Sequence, residues 1–173
     1  MLVLLVRHGH AGTKRNWDGH DRLRPLDAIG LAQSEGLPAM LAPFTPTRIL
    51  SSPFVRCLQS VAPVADAFGI RLERSSALLP DAGPAAMSLA LEASTPSGSV
   101  VLCTHGEVIH DLQTLLGLVG APAFNPAGPR EKGSVWVLER VDGRFVRGTY
   151  LSPHAGAEAM EKGMGSGGEG TGN

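Results

Sequence analysis

Two arginines and two histidines stand where the chain changes character. Arg7-His8-Gly9 ends the apolar run Leu2–Val6, and Thr104-His105-Gly106 ends Val100–Cys103. Arg56 follows Ser51-Ser52-Pro53-Phe54-Val55, after the shorter run Arg48-Ile49-Leu50. If each run is a strand, the four side chains reach one rim, because open α/β sheets gather function at the carboxyl ends of their strands. Such a set suits a phosphoryl group. Guanidinium forks grip phosphoryl oxygens in pairs. Helix N-termini after Ser52 and His105 add positive potential, and a neutral imidazole can attack phosphorus. Gly9 lets the backbone turn sharply and a ligand come close. Each piece alone is weak, since a lone histidine is more often structural. The joint placement carries the reading.

The elements that must deliver these residues can be read from the same rows. Unbroken apolar runs such as Leu2–Val6 and Val100–Cys103 mark strands covered on both faces, as in a parallel sheet. After Leu50, Ser52 is expected to cap a helix and Pro53 to occupy its first position. Leu58, Val61, Ala62, Ala65 and Phe68 follow helical spacing, Pro63 is expected to kink that helix, and Gly69 to end it. Val108, Ile109, Leu112, Leu115, Leu116 and Val119 trace another apolar helix face, stopped at Gly120. Asp27 can cap a helix to about Leu41, and Pro84 can open one through about Ala93. Val135–Leu138 and Arg144–Val146 flank Asp142-Gly143, a two-residue hairpin signal. The expected fold is an α/β three-layer sandwich, with a mainly parallel sheet closed at one edge by an antiparallel hairpin. No large lid is expected, and the pocket should be shallow and open.

At 173 residues, with 43% apolar and 18% charged side chains, the chain reads as one globular domain. Residues 1–154 are expected to form it, and the Gly-rich stretch 155–173 reads as a flexible tail. A net charge of −1 argues against a generally basic surface and so against nucleic-acid binding. The six-residue apolar start is too short for a signal or membrane segment. No membrane partner is therefore expected, and the cytoplasm is the default compartment. Two cysteines, Cys57 and Cys103, are too few for a disulfide scaffold and read as core. His105 and His110 are five apart, poorly spaced as helical metal ligands. Neither a metal nor a cofactor is expected, and oligomeric state is left open.

Taken together, the motifs resemble the histidine phosphatase superfamily, also called phosphoglycerate mutase-like. The match runs through Leu4-Leu5-Val6-Arg7-His8-Gly9 and Arg24-Pro25-Leu26-Asp27 with Gly30 and Gln33. It continues through Ser51–Ser60 and Cys103-Thr104-His105-Gly106-Glu107, covering most of the chain to about Tyr150. The resemblance implies a phosphatase that is phosphorylated on His8 during turnover, with Arg7, Arg56 and His105 binding the phosphoryl group alongside it. The likeness is nearest to the short bacterial phosphohistidine phosphatases and to the phosphatase domain fused behind Nudix domains. Arg56-Cys57-x-Gln59, His105–Leu112 and Lys132-Gly133-Ser134-Val135-Trp136 carry the second likeness. With no Nudix box present, a stand-alone domain is expected.

The sequence also departs from the larger members. Ala11 and Lys14 stand where mutases and sugar-phosphate phosphatases carry threonine and asparagine, and Pro80 stands near the place of their glutamate acid. Asp81 and Glu107 are the candidate general acids, with solvation or helix capping as the plainer reading of each. A missing acid matters most for ester leaving groups. A phosphohistidine protein or a nucleotide phosphoanhydride is therefore the expected substrate, and mutase activity is not expected. A small-molecule phosphoester phosphatase and a non-catalytic phosphate-binding module remain as alternatives. His10 could line the pocket rim or lie on the surface. Arg15, Asn16, Trp17, Arg22 and Arg24 fall in a loop that could meet the rest of the substrate. Lys132 could face the pocket, with a solvated lysine as the plainer reading. At a strand end, the His8 ring is expected to be exposed.

Overall fold

Alternation of apolar side chains around six strands builds one sheet with two cores. The structure, a computed structural model, describes residues 1–93, 95, 97–118 and 128–154. The tail 155–173 and the helix stop at Val119–Gly120 lie outside those residues. The strands are β1 (Leu2–Arg7), β2 (Pro46–Ser51), β3 (Leu72–Arg74), β4 (Ser99–Thr104), β5 (Val135–Val141) and β6 (Arg144–Leu151). They lie in the order β3-β2-β4-β1-β5-β6. The β1/β4, β2/β4 and β2/β3 pairs are parallel, while β1/β5 and β5/β6 are antiparallel. The expected edge hairpin is therefore present. Its Asp142 and Gly143 have φ of 48° and 76°, the left-handed pair that a tight two-residue turn requires.

Two helices cover each face. On one lie α1 (Ala28–Leu41) and α2 (Val55–Phe68). Their Leu37, Leu41, Cys57, Val61 and Val64 pack on Leu4, Val6, Ile49 and Val101. On the other lie α3 (Gly83–Glu92) and α4 (Gly106–Leu118). Ala86, Ala90, Ile109 and Leu112 pack there on Val3, Leu5, Val100 and Leu102. Successive residues of β1 and β4 thus serve opposite cores, which is why these strands are apolar without interruption. This is the expected three-layer sandwich.

One local reading changes. Ser52 does not cap α2. The helix begins at Val55 with Phe54 as its N-cap and no side-chain cap, because the Ser52 hydroxyl is turned to His105 at 2.9 Å. β3 has only three residues, at the sheet edge, and carries no apolar run to announce it. Pro38 and Pro63 both sit inside their helices, which run on past them. Asp27 does cap α1, accepting from the Gly30 N–H at 3.0 Å.

Candidate active site

The parallel arrangement brings the ends of β1, β2 and β4 side by side, because β4 pairs with both others and Arg7 lies opposite Thr104. His8 N–H donates to the Thr104 carbonyl at 3.1 Å, and Ser52 N–H to the Cys103 carbonyl at 2.9 Å. The loops after the three strands are therefore stitched together before any side chain is considered.

His8 is buried rather than exposed, with 6% of its surface accessible. Its ring stands edge-on to His105, centroids 5.3 Å apart, and Arg56 covers it. Nδ1 lies 2.8 Å from the Gly9 carbonyl. A carbonyl only accepts, so Nδ1 carries the hydrogen and Nε2 keeps its lone pair. Arg56 Nε donates to that Nε2 at 3.3 Å. Burial, the largest cause, holds the imidazole well below its ordinary value. The Gly9 carbonyl opposes this, while His105, Arg56 and Arg7 reinforce it. His8 is thus a neutral imidazole with its free nitrogen facing a guanidinium.

The other three residues surround it. Phe54 presents its ring to both Arg56, 4.7 Å from the centroid, and His105, 4.8 Å between centroids. His105 is fully buried, with Ser52 Oγ and Cys57 Sγ at 2.9 and 3.6 Å from its Nε2. Cys57 and Cys103 are both buried, as expected of core residues. Arg7 donates to the Arg130 carbonyl, and its buried Nε has no partner among the described residues. Gly106 makes room for it, since a Cβ there would lie 2.8 Å from Arg7 Cζ.

The two candidate acids differ in position. Glu107 is exposed in the first turn of α4, and its charge opposes the lowering that burial imposes on Arg7. Asp81 is exposed in the turn before α3 and makes no ion pair or hydrogen bond among the described residues. Neither touches His8.

Sequence reasoning passed over Asp21. Its carboxylate pairs with Arg56 Nη2 at 3.2 Å and Arg24 Nε at 2.9 Å, and its carbonyl accepts from Arg56 Nη1 at 2.9 Å. An acid three residues before an arginine was the available signal. The glutamines and serine of the motifs prove to be braces. Ser60 accepts from Gly9 N–H at 2.9 Å and donates to the Arg56 carbonyl at 2.6 Å. Gln33 Oε1 accepts from His10 N–H at 2.8 Å, and Gln59 Oε1 from Leu26 N–H at 2.8 Å. His10 lies on the rim, with Nδ1 bonded to Asp27. Bonds from Gly30, His10 and Gly12 outweigh burial and hold that carboxyl at about 2, with Gly30 the largest influence. Lys132 is half-buried rather than freely solvated. Burial first, then Arg7, Arg24 and Arg56, push its ammonium below the ordinary lysine value, against the pull of Asp27. Beyond Arg24 lies a hollow of about 250 Å³ lined by Ala11, Asn16, Trp17, Arg24, Leu26 and Asp27 among others. Among the described residues no cluster could hold a metal ion, and no helix is long and apolar enough to cross a membrane.

Comparison with known proteins agrees with this geometry. Residues 3–79 match the family model described as histidine phosphatase superfamily (branch 1). The chain is 38% identical over 155 residues to an 8-oxo-(d)GTP phosphatase of Mycolicibacterium smegmatis. That alignment covers 87% of this chain and 48% of the relative, so the chain spans about half the length of the curated relative it matches. Among solved structures, SixA from Agrobacterium tumefaciens superposes with a TM-score of 0.66 at 27% identity, covering 88% of this chain and 97% of that one. The protein histidine phosphatase SixA complexed with tungstate shares the fold, with a TM-score of 0.68 at 22% identity and the same coverages. The order of motifs along the chain, the six-stranded sheet and the match over residues 3–79 converge on one likeness, to the histidine phosphatase superfamily.

Proposed function

We propose that the chain is a phosphatase that works through a phosphohistidine on His8, acting on a phosphohistidine protein or a nucleotide phosphoanhydride. The observation that carries the reading is the buried, neutral His8, whose Nδ1–H is given to Gly9 and whose Nε2 lone pair faces Arg56. In the first step Nε2 forms a bond to phosphorus, and the bond to the leaving group breaks with its electron pair. In the second, water attacks phosphorus and the pair returns to Nε2. Arg7 and Arg56 hold the phosphoryl oxygens through both steps. Ser52 can give its hydroxyl hydrogen to His105 Nε2, which keeps the ring hydrogen on Nδ1 as a further donor. The curated relative's name supports a nucleotide substrate and the name of the tungstate complex a protein one. The exposed placement of Asp81 and Glu107, away from His8, supports leaving groups that need little protonation.

The test is turnover of p-nitrophenyl phosphate by wild type and His8→Gln. His8 is buried, so a side chain of similar volume keeps the fold and the melting temperature checks it. Turnover should vanish in the variant, and acid-labile phosphate from labelled substrate should be trapped on His8 of the wild type. A folded His8→Gln protein with unchanged turnover would sink the mechanism.

A further inference from the structure

A lysine stands beside the clamp. Its backbone is fixed on the nucleophile's own strand, since the next residue, Gly133, donates its N–H to the carbonyls of Arg7 and His8 at 3.2 and 3.1 Å. The Lys132 carbonyl accepts from Gln33 Nε2 at 3.0 Å. Gly133 has φ of 82°, and a Cβ there would meet the Gln33 side chain at 2.9 Å, so the chain can make this close pass only as glycine. The Lys132 side chain is half-buried at this anchor, and burial with the charges of Arg7, Arg24 and Arg56 pushes its ammonium below the ordinary lysine value, against Asp27. Arg24 and Asp27 line the hollow.

The charge count around the hollow is uneven. Asp21 is shared by Arg24 and Arg56, and Asp27 is engaged by His10 and two backbone N–H groups. Lys132 forms no ion pair among the described residues. A half-buried cation among three arginines is unfavourable in an empty site, and a bound anion offsets that cost. The clamp around His8 already accounts for one phosphoryl group. What is left over is positive charge on the leaving-group side.

We propose that Lys132 and Arg24 form a subsite for a second phosphate, and that the chain takes nucleoside diphosphates, with the nucleoside end in the hollow beside Trp17. This deepens the phosphatase reading, and its kinetic arm rests on it. His8 Nε2 bonds to the terminal phosphorus, and the bridging oxygen departs with the electron pair as part of a nucleoside monophosphate. That product is stable as an anion and needs no proton from an acid. Water then attacks the phosphohistidine, releases inorganic phosphate and restores Nε2, with the water proton passing to solvent. A phosphohistidine protein would bring an imidazole to the same place and leave Lys132 without a partner.

The experiment compares wild type, Lys132→Met and Lys132→Arg as full chains. The kinetic arm measures kcat/KM on ADP, AMP, p-nitrophenyl phosphate and a phosphohistidine protein. ADP should exceed AMP, and the ADP to p-nitrophenyl phosphate ratio should fall about tenfold or more in Lys132→Met and recover in Lys132→Arg. The binding arm needs no turnover. The α,β-methylene analogue of ADP should bind at least about tenfold tighter than AMP, and the gap should close in Lys132→Met. Equal binding of the two, or a gap unaltered in Lys132→Met, overturns the subsite whatever the catalysis. A wild type that prefers the phosphohistidine protein while its ADP ratio ignores Lys132 overturns it as well. An absence of all turnover, with the binding gap intact, would instead overturn the phosphatase reading and leave the subsite standing.

Discussion

Replacing Asp21 by alanine isolates the support of the clamp from the clamp itself. Asp21 touches neither His8 nor the space in front of it. Its side chain is 22% exposed, while the Arg24 and Arg56 side chains it binds are 11% and 6% exposed. Arg56 is tied to Asp21 twice, through Nη2 to the carboxylate at 3.2 Å and through Nη1 to the backbone carbonyl at 2.9 Å. Asp21→Ala removes the first tie and keeps the second. A hydrogen bond to a charged group is worth about 1.5–3 kcal/mol. If that is the energy holding Arg56 in register, kcat/KM falls by about 10- to 150-fold, at about 1.4 kcal/mol per tenfold. Asp21→Asn keeps an oxygen that can accept from one arginine, which puts it at the smaller end, about tenfold. The fold should survive, because water can reach part of the gap. A melting temperature lower by about 2–10 °C is expected for about 1–3 kcal/mol in a chain of this size. The assay is p-nitrophenyl phosphate turnover beside thermal unfolding. An Asp21→Ala protein within twofold of wild type in kcat/KM would refute the argument, because Arg56 would then be held by its own packing on Phe54.

Gly106→Ala directs a methyl group to within 2.8 Å of Arg7 Cζ, so the guanidinium must move. A displacement of this kind costs about 10²-fold in turnover, and activity matching wild type in a folded variant would show that Arg7 is not needed where it lies. The pH dependence follows from His8, whose folded value is depressed below 6.5. The acid limb of kcat/KM should lie below pH 6.5. The unfolded chain takes up this proton first as pH falls through 6.5. His8 therefore contributes stability that is fully present above 6.5 and lost as the pH drops toward its folded value. Urea midpoints measured across that range should fall more steeply in wild type than in His8→Gln, and parallel curves would contradict the assignment.

The legible parts of this chain were those set by local rules. Runs such as Leu2–Val6 announce buried strands because both faces are covered, and Asp142-Gly143 announces a turn because few other pairs accept two positive φ values. The gathering of Arg7, His8, Arg56 and His105 was legible because all four sit next to those runs. The rest depended on contacts across the sequence. Asp21 earns its role through Arg56, 35 positions away. Ser52 looked like a helix cap and serves His105 instead, a competition between a backbone N–H and an imidazole nitrogen that no window of sequence displays. Lys132 looked solvated because nothing near it in sequence shows that Gly133 hangs on the His8 carbonyl. His8 looked exposed because strand ends usually are, and only the tertiary packing of Arg56 and His105 buries it.

Under the proposed mechanism, the same burial lets the clamp bind an anion without disabling His8. Arg7 and Arg56 each lower the affinity of His8 for a proton, but a bound phosphoryl group carries negative charge that cancels much of their field. Were the cations the main cause, substrate binding would return the proton to Nε2 and stop the attack. Burial is the larger cause, and an arriving phosphate does not restore water to the ring. It displaces water from the rim as it enters, which strengthens the effect. Nε2 therefore stays unprotonated in the complex, and the cations are left to stabilise charge on the transferring group. A polar replacement that hydrates the ring, such as Phe54→Ser, should for that reason raise the acid limb of kcat on p-nitrophenyl phosphate toward pH 6.5, with Arg7, Arg56 and His105 all in place. An acid limb that does not move in that variant would assign the depressed proton affinity to the cations instead.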